Sequence, residues 1–162
     1  MLATADDAAA LAADAGAELR ERETWEDLFF RLLLERVEPR LGRDNPTFLT
    51  HWPAAQAALA RRDPADPRVA ERFELFVCGI ELANAFVELT DVAEQRARFL
   101  HDRARRHALY GPDWPLDEDF LAALAFGMPS SAGIAMGFDR LAMIASGASR
   151  IDQVLWLPPA PG

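Results

Sequence analysis

The fold is decided by one stretch, which reads Phe73-Glu-Leu-Phe-Val-Cys-Gly-Ile-Glu-Leu-Ala-Asn-Ala-Phe-Val-Glu-Leu-Thr-Asp91. Two largely apolar runs, 69–77 and 80–89, flank the dipeptide Cys78-Gly79, and a two-residue connection of this kind predicts a tight β-hairpin. Strands joined by a hairpin are antiparallel. We therefore predict an α+β fold in which an antiparallel β-sheet is flanked by helices.

A second stretch, Gly133-Ile-Ala-Met-Gly-Phe-Asp-Arg-Leu141, alternates small and large residues. Because successive side chains of a strand point to opposite faces, one face of this strand is expected to be almost bare. A bare face lets a flat ligand lie close to the backbone. Arg140 follows the strand, and an apolar helix from Leu141 to Ser146 is expected to hold it in place.

The remaining elements are predicted from apolar periodicity and from capping and stop signals. Helices are expected at 4–21, opened by Thr4, from the Thr24-Asp27 capping box to Pro39, at 91–109 and at 117–125, and short strands at 47–51 and 154–157. We expect one domain over 1–162, with a helical lead-in at 1–40 and the sheet with its helices at 47–158.

Composition excludes several classes of protein. The net charge is −9, from 26 acidic and 17 basic residues, and all 17 basic residues are arginine. This balance argues against nonspecific nucleic-acid binding, which needs clustered positive charge. No apolar span is long enough for a membrane helix. The one cysteine, Cys78, cannot form an internal disulfide, so a cytoplasmic location is expected.

Three acidic residues in the hairpin are candidates for chemistry. Glu74, Glu81 and Glu88 recur every seven residues, and Asn84 and Phe86 lie between the last two. By the period of two, Asn84, Phe86 and Glu88 share one face, whereas Glu81 joins them only if a bulge intervenes. The alternative is that the acids are solvent-facing positions of a half-exposed sheet, with Phe86 an ordinary core aromatic.

Both stretches resemble the class II aminoacyl-tRNA synthetases. The end of the second stretch, Gly137-Phe-Asp-Arg140, is similar to the strand-to-helix junction of their motif 3. The first stretch resembles the paired strands that line the lysine and ATP site of lysyl-tRNA synthetases and of their smaller relatives, the elongation factor P lysine ligases. The resemblance runs from about Thr24 to Pro158 and implies a partial class II catalytic core.

The resemblance implies a site for ATP and Mg²⁺. In these enzymes the residues that match Glu74 and Glu81 hold magnesium against the ATP phosphates, and Mg²⁺ prefers such oxygen ligands. Arg140 matches the motif 3 arginine, a catalytic residue that stacks on adenine and reaches the triphosphate. Stacking combined with charge suits arginine better than lysine. The alternative for Arg140 is an ion pair with its neighbour Asp139.

The resemblance also implies a lysine pocket. Asn84 and Glu88 match residues that hold the lysine substrate, with Glu88 against the ammonium group, and Phe86 lines the pocket. Ala135 stands where lysyl-tRNA synthetases are expected to have glycine; the elongation factor P ligases carry alanine there and favour β-lysine. Ala85 departs from the glycine usual in both groups, which leaves the choice between lysine and β-lysine open.

Parts of the catalytic apparatus are expected to be missing. The motif 2 strand with its Arg-x-Glu pattern is not found, since Arg36-Val-Glu38 ends a predicted helix and runs into Pro39. Motif 1 and an anticodon-binding domain are not found either. The chain therefore resembles the C-terminal half of such a ligase, and we expect negligible adenylation by the chain alone.

Two functions are compatible with the sequence. The first is ATP-dependent activation of lysine or β-lysine as an aminoacyl-adenylate, with transfer to elongation factor P or, as a lysyl-tRNA synthetase would do, to tRNA. The alternative is a non-catalytic truncated paralogue that binds a nucleotide or a partner. Because half a catalytic domain exposes sheet edges, a homo-oligomer is expected in either case. His51 is predicted to be structural rather than in contact with substrate.

Overall fold

A computed structural model describes residues 7–112 and 114–157 of the chain. This part of the chain contains five α-helices and four β-strands, together with short π- and 3₁₀-helical turns. In chain order the elements are α1 (Ala8–Ala15), α2 (Trp25–Leu32), a π turn (Leu33–Val37), a 3₁₀ turn (Glu38–Arg40), β1 (Thr47–Pro53), a 3₁₀ turn (Ala54–Gln56), β2 (Val69–Val77), β3 (Ile80–Val87), α3 (Val92–Tyr110), α4 (Glu118–Gly127), β4 (Ala132–Met136), α5 (Phe138–Ser146) and a 3₁₀ turn (Ile151–Gln153).

The four strands form one antiparallel sheet in the order β1-β2-β3-β4, which confirms the predicted α+β class. The turn between β2 and β3 has positive φ angles at both of its residues, 54° at Cys78 and 76° at Gly79. Two positive φ angles define the type I′ turn, whose twist matches that of the strands it joins. The predicted hairpin is therefore formed as expected, and it fixes the register of the strands that carry the candidate site.

Side chains cap the helices where the sequence predicted caps. Thr24 and Asp27 form the complete capping box at the start of α2, and Asp91 accepts a hydrogen bond from the Glu94 N–H at the start of α3. These side chains satisfy backbone N–H groups that the first turn of a helix leaves without partners. Gly147, with φ 71°, ends α5 in the left-handed conformation that favours glycine.

The chain forms two compact units, and each strand of the sheet contributes residues to both. The first unit contains the residues up to Thr50, Phe73–Ala85 and those from Ile134 onward. Its helical part is stabilised by burial of apolar side chains from α1, α2 and the π turn. The buried residues there are Leu11, Ala12, Leu28, Phe29, Leu32 and Leu33.

The second unit contains His51–Arg72 and Phe86–Gly133. A cluster of buried alanines, with Phe86 packed against it, forms part of its core. Gln95 of α3 is buried and donates to the Ala58 carbonyl, so its polar group is satisfied inside the unit. An ion pair between Arg96 and Glu118 links α3 to α4. The single-domain extent 1–162 stays a prediction.

Three predicted elements differ from the structure. The first helix is shorter than the predicted 4–21, because Gly16 adopts a left-handed conformation (φ 56°) and ends α1; Thr4 lies outside the described residues. The strand predicted at 154–157 is wrong, since these residues form a turn and bends after a 3₁₀ turn. The first strand continues to Pro53 rather than ending at His51. Among the described residues, no helix has both the length and the apolar character needed to span a bilayer.

Candidate active site on strands β2 to β4 and helix α5

Arg140 lies in the first turn of α5 and reaches across to β3. Its Nη1 donates to the backbone oxygen of Glu81 at 2.6 Å and lies 3.2 Å from Glu81 Oε2. The arginine thus pairs with a residue 59 positions earlier in the chain rather than with its neighbour Asp139. The two predicted triphosphate-binding residues are therefore in direct contact, and their side chains remain 46% and 35% exposed.

Glu74 and Asn84 form a second contact in the same unit. The Asn84 side-chain amide donates to Glu74 Oε1 at 3.0 Å, and Glu74 is only 6% exposed. A buried carboxylate needs such a partner, because burial without hydrogen bonds is costly. The structure therefore joins a predicted magnesium ligand to a predicted lysine-binding residue.

This contact reveals an irregularity in the pairing of β2 with β3. The two-residue turn pairs Val77 with Ile80, and regular pairing from there would set Glu74 opposite Ala83, with the Asn84 side chain on the other face. The Glu74–Asn84 hydrogen bond requires both side chains on one face. One extra residue of β3 therefore lies between the turn and Asn84, which is a β-bulge.

The bulge decides where Glu81 points. The backbone oxygens of the neighbouring residues Glu81 and Leu82 both accept from the β4–α5 segment, one from Arg140 and the other from Gly137. Neighbouring carbonyls of a regular strand point to opposite edges, so the extra residue lies at Glu81 and Leu82. Before the bulge Glu81 faces Phe76, and Phe76 lies on the same face of β2 as Glu74. The bulge therefore brings Glu81 onto the face that carries Glu74 and Asn84. The sequence analysis required such a bulge for Glu81 to belong to the site.

One register between β3 and β4 holds over seven residues of each strand, from Leu82 to Glu88 and from Ser131 to Gly137. Gly137 donates its N–H to the Leu82 carbonyl at one end, and Glu88 donates to the Ser131 carbonyl at the other. Between these ends the register sets Ala135 opposite Asn84 and Gly133 opposite Phe86. Residues directly opposite share a face, so the small side chains of β4 lie on the face of Asn84 and Phe86.

Glu88 lies close to the bare part of β4. A Cβ atom added at Gly133 would be 3.3 Å from Glu88 Oε1, which is tighter than an ordinary van der Waals contact. Glycine at position 133 therefore leaves the space in which the Glu88 carboxylate lies. Phe86, which is also predicted to line the lysine pocket, lies in the same unit as Glu88 and Gly133.

The donor set fits a magnesium-bound nucleotide. Glu74 and Glu81 supply carboxylate oxygens on one face, and Arg140 supplies a guanidinium beside Glu81. Among residues 7–112 and 114–157, no group of three or more His, Cys, Asp or Glu side chains is arranged to hold a metal. Two carboxylates are enough where phosphate and water complete the shell of Mg²⁺.

Other residues considered in the sequence analysis have contacts of their own. His51 has φ 57° and its Nε2 lies 3.8 Å from Asp63 Oδ2. Trp52 is buried, 5% exposed, with the Arg72 guanidinium 4.3 Å from its ring centroid. Cys78 is exposed at the hairpin turn. The arginines and histidines in the second half of α3 are largely exposed, as expected for a solvated face.

Sequence reasoning missed one functional feature of this site, the Glu81 carbonyl that holds Arg140. A backbone acceptor leaves no signal in residue type. The sequence analysis named a β-bulge only as the condition under which Glu81 would join the site. The position of the bulge could not be predicted, because it depends on tertiary contacts. The pairing of Asn84 with Glu74 was also unforeseen, although the hairpin brings these residues close.

Comparison with known proteins agrees with this geometry. The family described as tRNA synthetases class II (D, K and N) matches residues 30–160. The elongation factor P–(R)-β-lysine ligase of Proteus mirabilis is 49% identical over 136 residues, which cover 84% of this chain and 42% of that protein. Ligases of the same name from Hamiltonella defensa and Pectobacterium carotovorum are 48% and 53% identical, over 88% and 74% of this chain.

The chain spans less than half the length of these relatives, 42%, 44% and 37% respectively. The matched part includes the hairpin, β4 and α5, and therefore every residue of the candidate site. Together, the family match and the antiparallel sheet with its strand-to-helix junction show that this chain belongs to the class II tRNA synthetase family and is similar to its elongation factor P β-lysine ligases.

Proposed function

We propose that this chain is the part of a ligase that binds Mg²⁺-ATP and lysine or β-lysine, activates the amino acid as an aminoacyl-adenylate and transfers it to elongation factor P. The observation that carries the proposal is the contact of Arg140 with Glu81 on the sheet face that also holds Glu74 and Asn84. A cation and two carboxylates on one face suit a substrate that combines phosphates, magnesium and an ammonium group.

Each residue has a role in this proposal. Glu74 and Glu81 hold magnesium, and Arg140 contacts the adenine and the triphosphate. In the proposed reaction the amino acid carboxylate would attack the α-phosphate of ATP and pyrophosphate would leave, and magnesium held by the two glutamates would neutralise phosphate charge. Asn84, Phe86 and Ala135 shape the amino acid site, and the Glu88 carboxylate pairs with the side-chain ammonium, a charge-assisted contact that is strong once water is excluded.

The names of the relatives support the acceptor and the substrate. The most similar proteins described above are called elongation factor P–(R)-β-lysine ligases, so elongation factor P is preferred to tRNA. Ala135 adds a methyl group on the substrate face opposite Asn84, which favours β-lysine over α-lysine as the resemblance implied. The location that we assign to this activity is the cytoplasm, in keeping with a single free cysteine.

The chain alone is not expected to catalyse adenylation. Arg36 and Val37 lie in the π turn and Glu38 opens a 3₁₀ turn, so Arg36-Val-Glu38 is not part of the sheet. The other Arg-x-Glu sequence, Arg72-Phe-Glu74, lies in β2, where the Arg72 guanidinium lies over the Trp52 ring. Loss of one well-placed donor to a transition state costs about 10²–10³ in rate, and a missing strand and loop cost more. Binding of substrates is therefore the property to test first.

Calorimetric titration of the chain with ATP at millimolar Mg²⁺ tests the proposal. We expect Mg²⁺-dependent binding that weakens about tenfold or more in Arg140→Lys, because lysine offers no planar guanidinium for stacking and forked hydrogen bonds. The matched control is Arg150→Lys, since Arg150 pairs with Asp152 at 2.7 Å on the surface of the same unit. No binding of ATP, or equal losses in the two variants, would contradict the proposal.

A further inference from the structure

The segment 57–62 runs beside Glu88 and pairs with the chain on both sides of it. Two backbone hydrogen bonds form this pairing, from the Arg61 N–H to the Val87 carbonyl at 2.8 Å and from the Leu89 N–H to the Leu59 carbonyl at 2.9 Å. They set Ala60 directly opposite Glu88 in a non-hydrogen-bonded antiparallel pair, the closer of the two kinds of pair. The side chains of Ala60 and Glu88 are therefore neighbours on one face.

A side chain of α3 holds this segment by its backbone. Arg98 Nη1 donates to the carbonyls of Ala57 and Ala60 at 2.6 and 2.9 Å and lies 3.3 Å from the Ala58 oxygen. The same guanidinium donates through Nη2 and Nε to Glu94 Oε1, at 2.6 and 3.2 Å. Because the Arg98 side chain is only 11% exposed, water competes little for these bonds.

The position requires the geometry of arginine. Ala60 is buried, and its carbonyl points away from Glu88, so it needs a donor on the side of α3. A guanidinium carries five N–H donors in one plane and can serve carbonyls and a carboxylate at the same time. A lysine ammonium is a compact point charge and lacks this fork. Gln95, which is also buried, ties the same turn to α3 through the Ala58 carbonyl at 3.2 Å.

The held segment supports both residues of this unit that are predicted to line the lysine pocket. Phe86 packs against the cluster of buried alanines that contains Ala57 and Ala60. Glu88 has Ala60 on one side, and on the other side its N–H donates to the Ser131 carbonyl at 3.0 Å. A displacement of about 1 Å in a group that orients a substrate can cost up to about 10²-fold in rate. The placement of Glu88 is therefore sensitive to any movement of Ala60.

We propose that Arg98 is a positioning residue for recognition of the amino acid side chain. By fixing the carbonyls of Ala57 and Ala60, it sets the place at which the Glu88 carboxylate meets the substrate ammonium. Arg98 acts through Ala60 rather than by contact with the substrate. This inference rests on the proposed role of Glu88 as the partner of that ammonium. Arg98 lies on α3, outside the hairpin and the strand-to-helix junction that carry the other site residues.

The first test needs no substrate. The side-chain carboxyl carbon of Glu88, assigned in a carbon NMR spectrum by its disappearance in Glu88→Gln, reports on the surroundings of that carboxylate. We expect its resonance to shift in Arg98→Lys and to keep its position in Arg96→Lys. Arg96 is the matched control because it lies on the same helix and its guanidinium pairs with Glu118, with Nη1 at 2.9 Å from Oε1. An unshifted resonance in Arg98→Lys would overturn the proposal.

The second test separates positioning from a general loss of structure. Lysine, β-lysine and Mg²⁺-ATP are titrated calorimetrically into the wild-type chain and into both arginine variants. Arg98→Lys is expected to weaken binding of the amino acids about tenfold or more and binding of Mg²⁺-ATP less than about twofold. Arg96→Lys is expected to change each affinity less than about twofold. Equal losses for amino acid and nucleotide in Arg98→Lys would show that Arg98 only stabilises the fold, which contradicts the proposal.

The two tests distinguish failure of this inference from failure of the proposed function. If the wild-type chain binds neither amino acid, the proposed function fails, and the Glu88 resonance alone decides whether Arg98 positions that carboxylate. If the wild-type chain binds them and Arg98→Lys binds them equally well, the proposed function stands and the role of Arg98 is refuted.

A double-mutant cycle shows whether Arg98 acts through Glu88. In the Glu88→Gln background, Arg98→Lys should change amino acid affinity less than about twofold, because the charge that it positions is already gone. A loss of about tenfold in both backgrounds would contradict the proposal.

A further variant covers the case in which Arg98→Lys fails to fold. Glu94→Gln keeps an oxygen that accepts from Arg98 but removes the charge that holds the guanidinium in place. It should shift the Glu88 resonance and weaken amino acid binding about threefold or more. An unmoved resonance together with unchanged affinity would overturn the proposal.

Discussion

The contact between Glu81 and Arg140 is more informative about binding than about stability. Ion pairs that keep a third or more of their surface exposed contribute about 0–1 kcal/mol, and these side chains are 35% and 46% exposed. The fold therefore does not depend on the pair. Substitution of Glu81 can remove a charge from the candidate site without unfolding the chain.

We expect Glu81→Gln to lower the free energy of unfolding by less than about 1 kcal/mol. Binding of Mg²⁺-ATP should nevertheless fall, because an amide is a poorer ligand for Mg²⁺ than a carboxylate. Urea denaturation and titration calorimetry on the same preparation measure both quantities. A variant that unfolds readily yet binds as before would show that Glu81 is structural.

Gly133 and Glu88 should behave as a coupled pair. A methyl group at residue 133 would lie 3.3 Å from Glu88 Oε1, so Gly133→Ala displaces that carboxylate. Glu88→Asp withdraws the carboxylate by one methylene and relieves the crowding. In a double-mutant cycle of unfolding free energies we expect Gly133→Ala to be tolerated better in the Glu88→Asp background, by about 0.5 kcal/mol or more. Simple additivity would show that the two residues do not touch.

Acid should weaken the helical part of the first unit through Glu23. The hydrogen bond from Arg31, whose Nε lies 2.6 Å from Glu23 Oε1, holds the pKa of Glu23 at about 2, below the ordinary value of 4.5. Because the folded pKa is the lower one, the stabilisation is complete above about pH 4.5. It is lost as the pH falls toward 2.

The variant Glu23→Gln should therefore lose the part of the pH dependence that lies between about pH 4.5 and 2. Urea denaturation over this range measures it. Glu21→Gln is the control, since the Glu21 side chain is 90% exposed and lies 3.9 Å from Arg22. Parallel pH profiles for the wild type and Glu23→Gln would contradict the assignment.

At the scale of elements, the hairpin, the capped helices and the junction into α5 were predictable because residue types in turns and caps act locally. The wrong strand at 154–157 and the overlong first helix have other causes. Residues 154–157 are apolar enough for a strand, yet they have no neighbour in the sheet. Gly16 ends α1 early because its left-handed conformation overrides the helix propensity of the alanines. The bulge in β3 could be predicted only as a possibility, because its position also depends on tertiary contacts.

Gly42 has an element-scale role that its sequence context does not reveal. It has φ 66°, and an added Cβ would lie 2.6 Å from the Phe76 carbonyl carbon of β2. We expect Gly42→Ala to destabilise the chain by about 3 kcal/mol or more, from backbone strain and a clash that the backbone of β2 cannot relieve. Chemical denaturation measures this loss.

Gly16→Ala is the matched control for that prediction. Gly16 has a similar φ of 56°, but a Cβ there would meet nothing within 4 Å. It should cost only the left-handed conformation, about 1 kcal/mol. Equal losses at the two positions would show that the approach of Gly42 to β2 has no energetic consequence.

At the scale of the whole molecule, the residues that carry the candidate site are within the chain, while the relatives are more than twice as long as the part it matches. The candidate site residues could be named from the sequence because the motif and the hairpin are local features, and their roles stay predictions. Their contacts with one another could not be predicted, since Arg140 and Glu81 are brought together only by the order of strands in the sheet. The identity of the two outer strands likewise depends on the strand order, which no local pattern specifies.

Pyrophosphate exchange with lysine or β-lysine should be negligible for the chain alone. The reason is that stabilisation of the transition state needs donors that these residues do not supply. Addition of the unmatched part of the Proteus mirabilis ligase should raise the rate, and Arg140→Lys should lower it again. Robust turnover by the purified chain would contradict this prediction, and binding of that part without any turnover would favour the non-catalytic alternative.

The arginine-only set of basic side chains has a chemical consequence for such a ligase. An aminoacyl-adenylate is a reactive mixed anhydride, and the nucleophile that it is made to meet is an ε-amine on the acceptor. All 17 basic residues of this chain are arginine, and guanidinium groups stay protonated near neutral pH. In the activity proposed above, the side chains of this chain would therefore offer no ε-amine that competes with the acceptor for the activated acyl group.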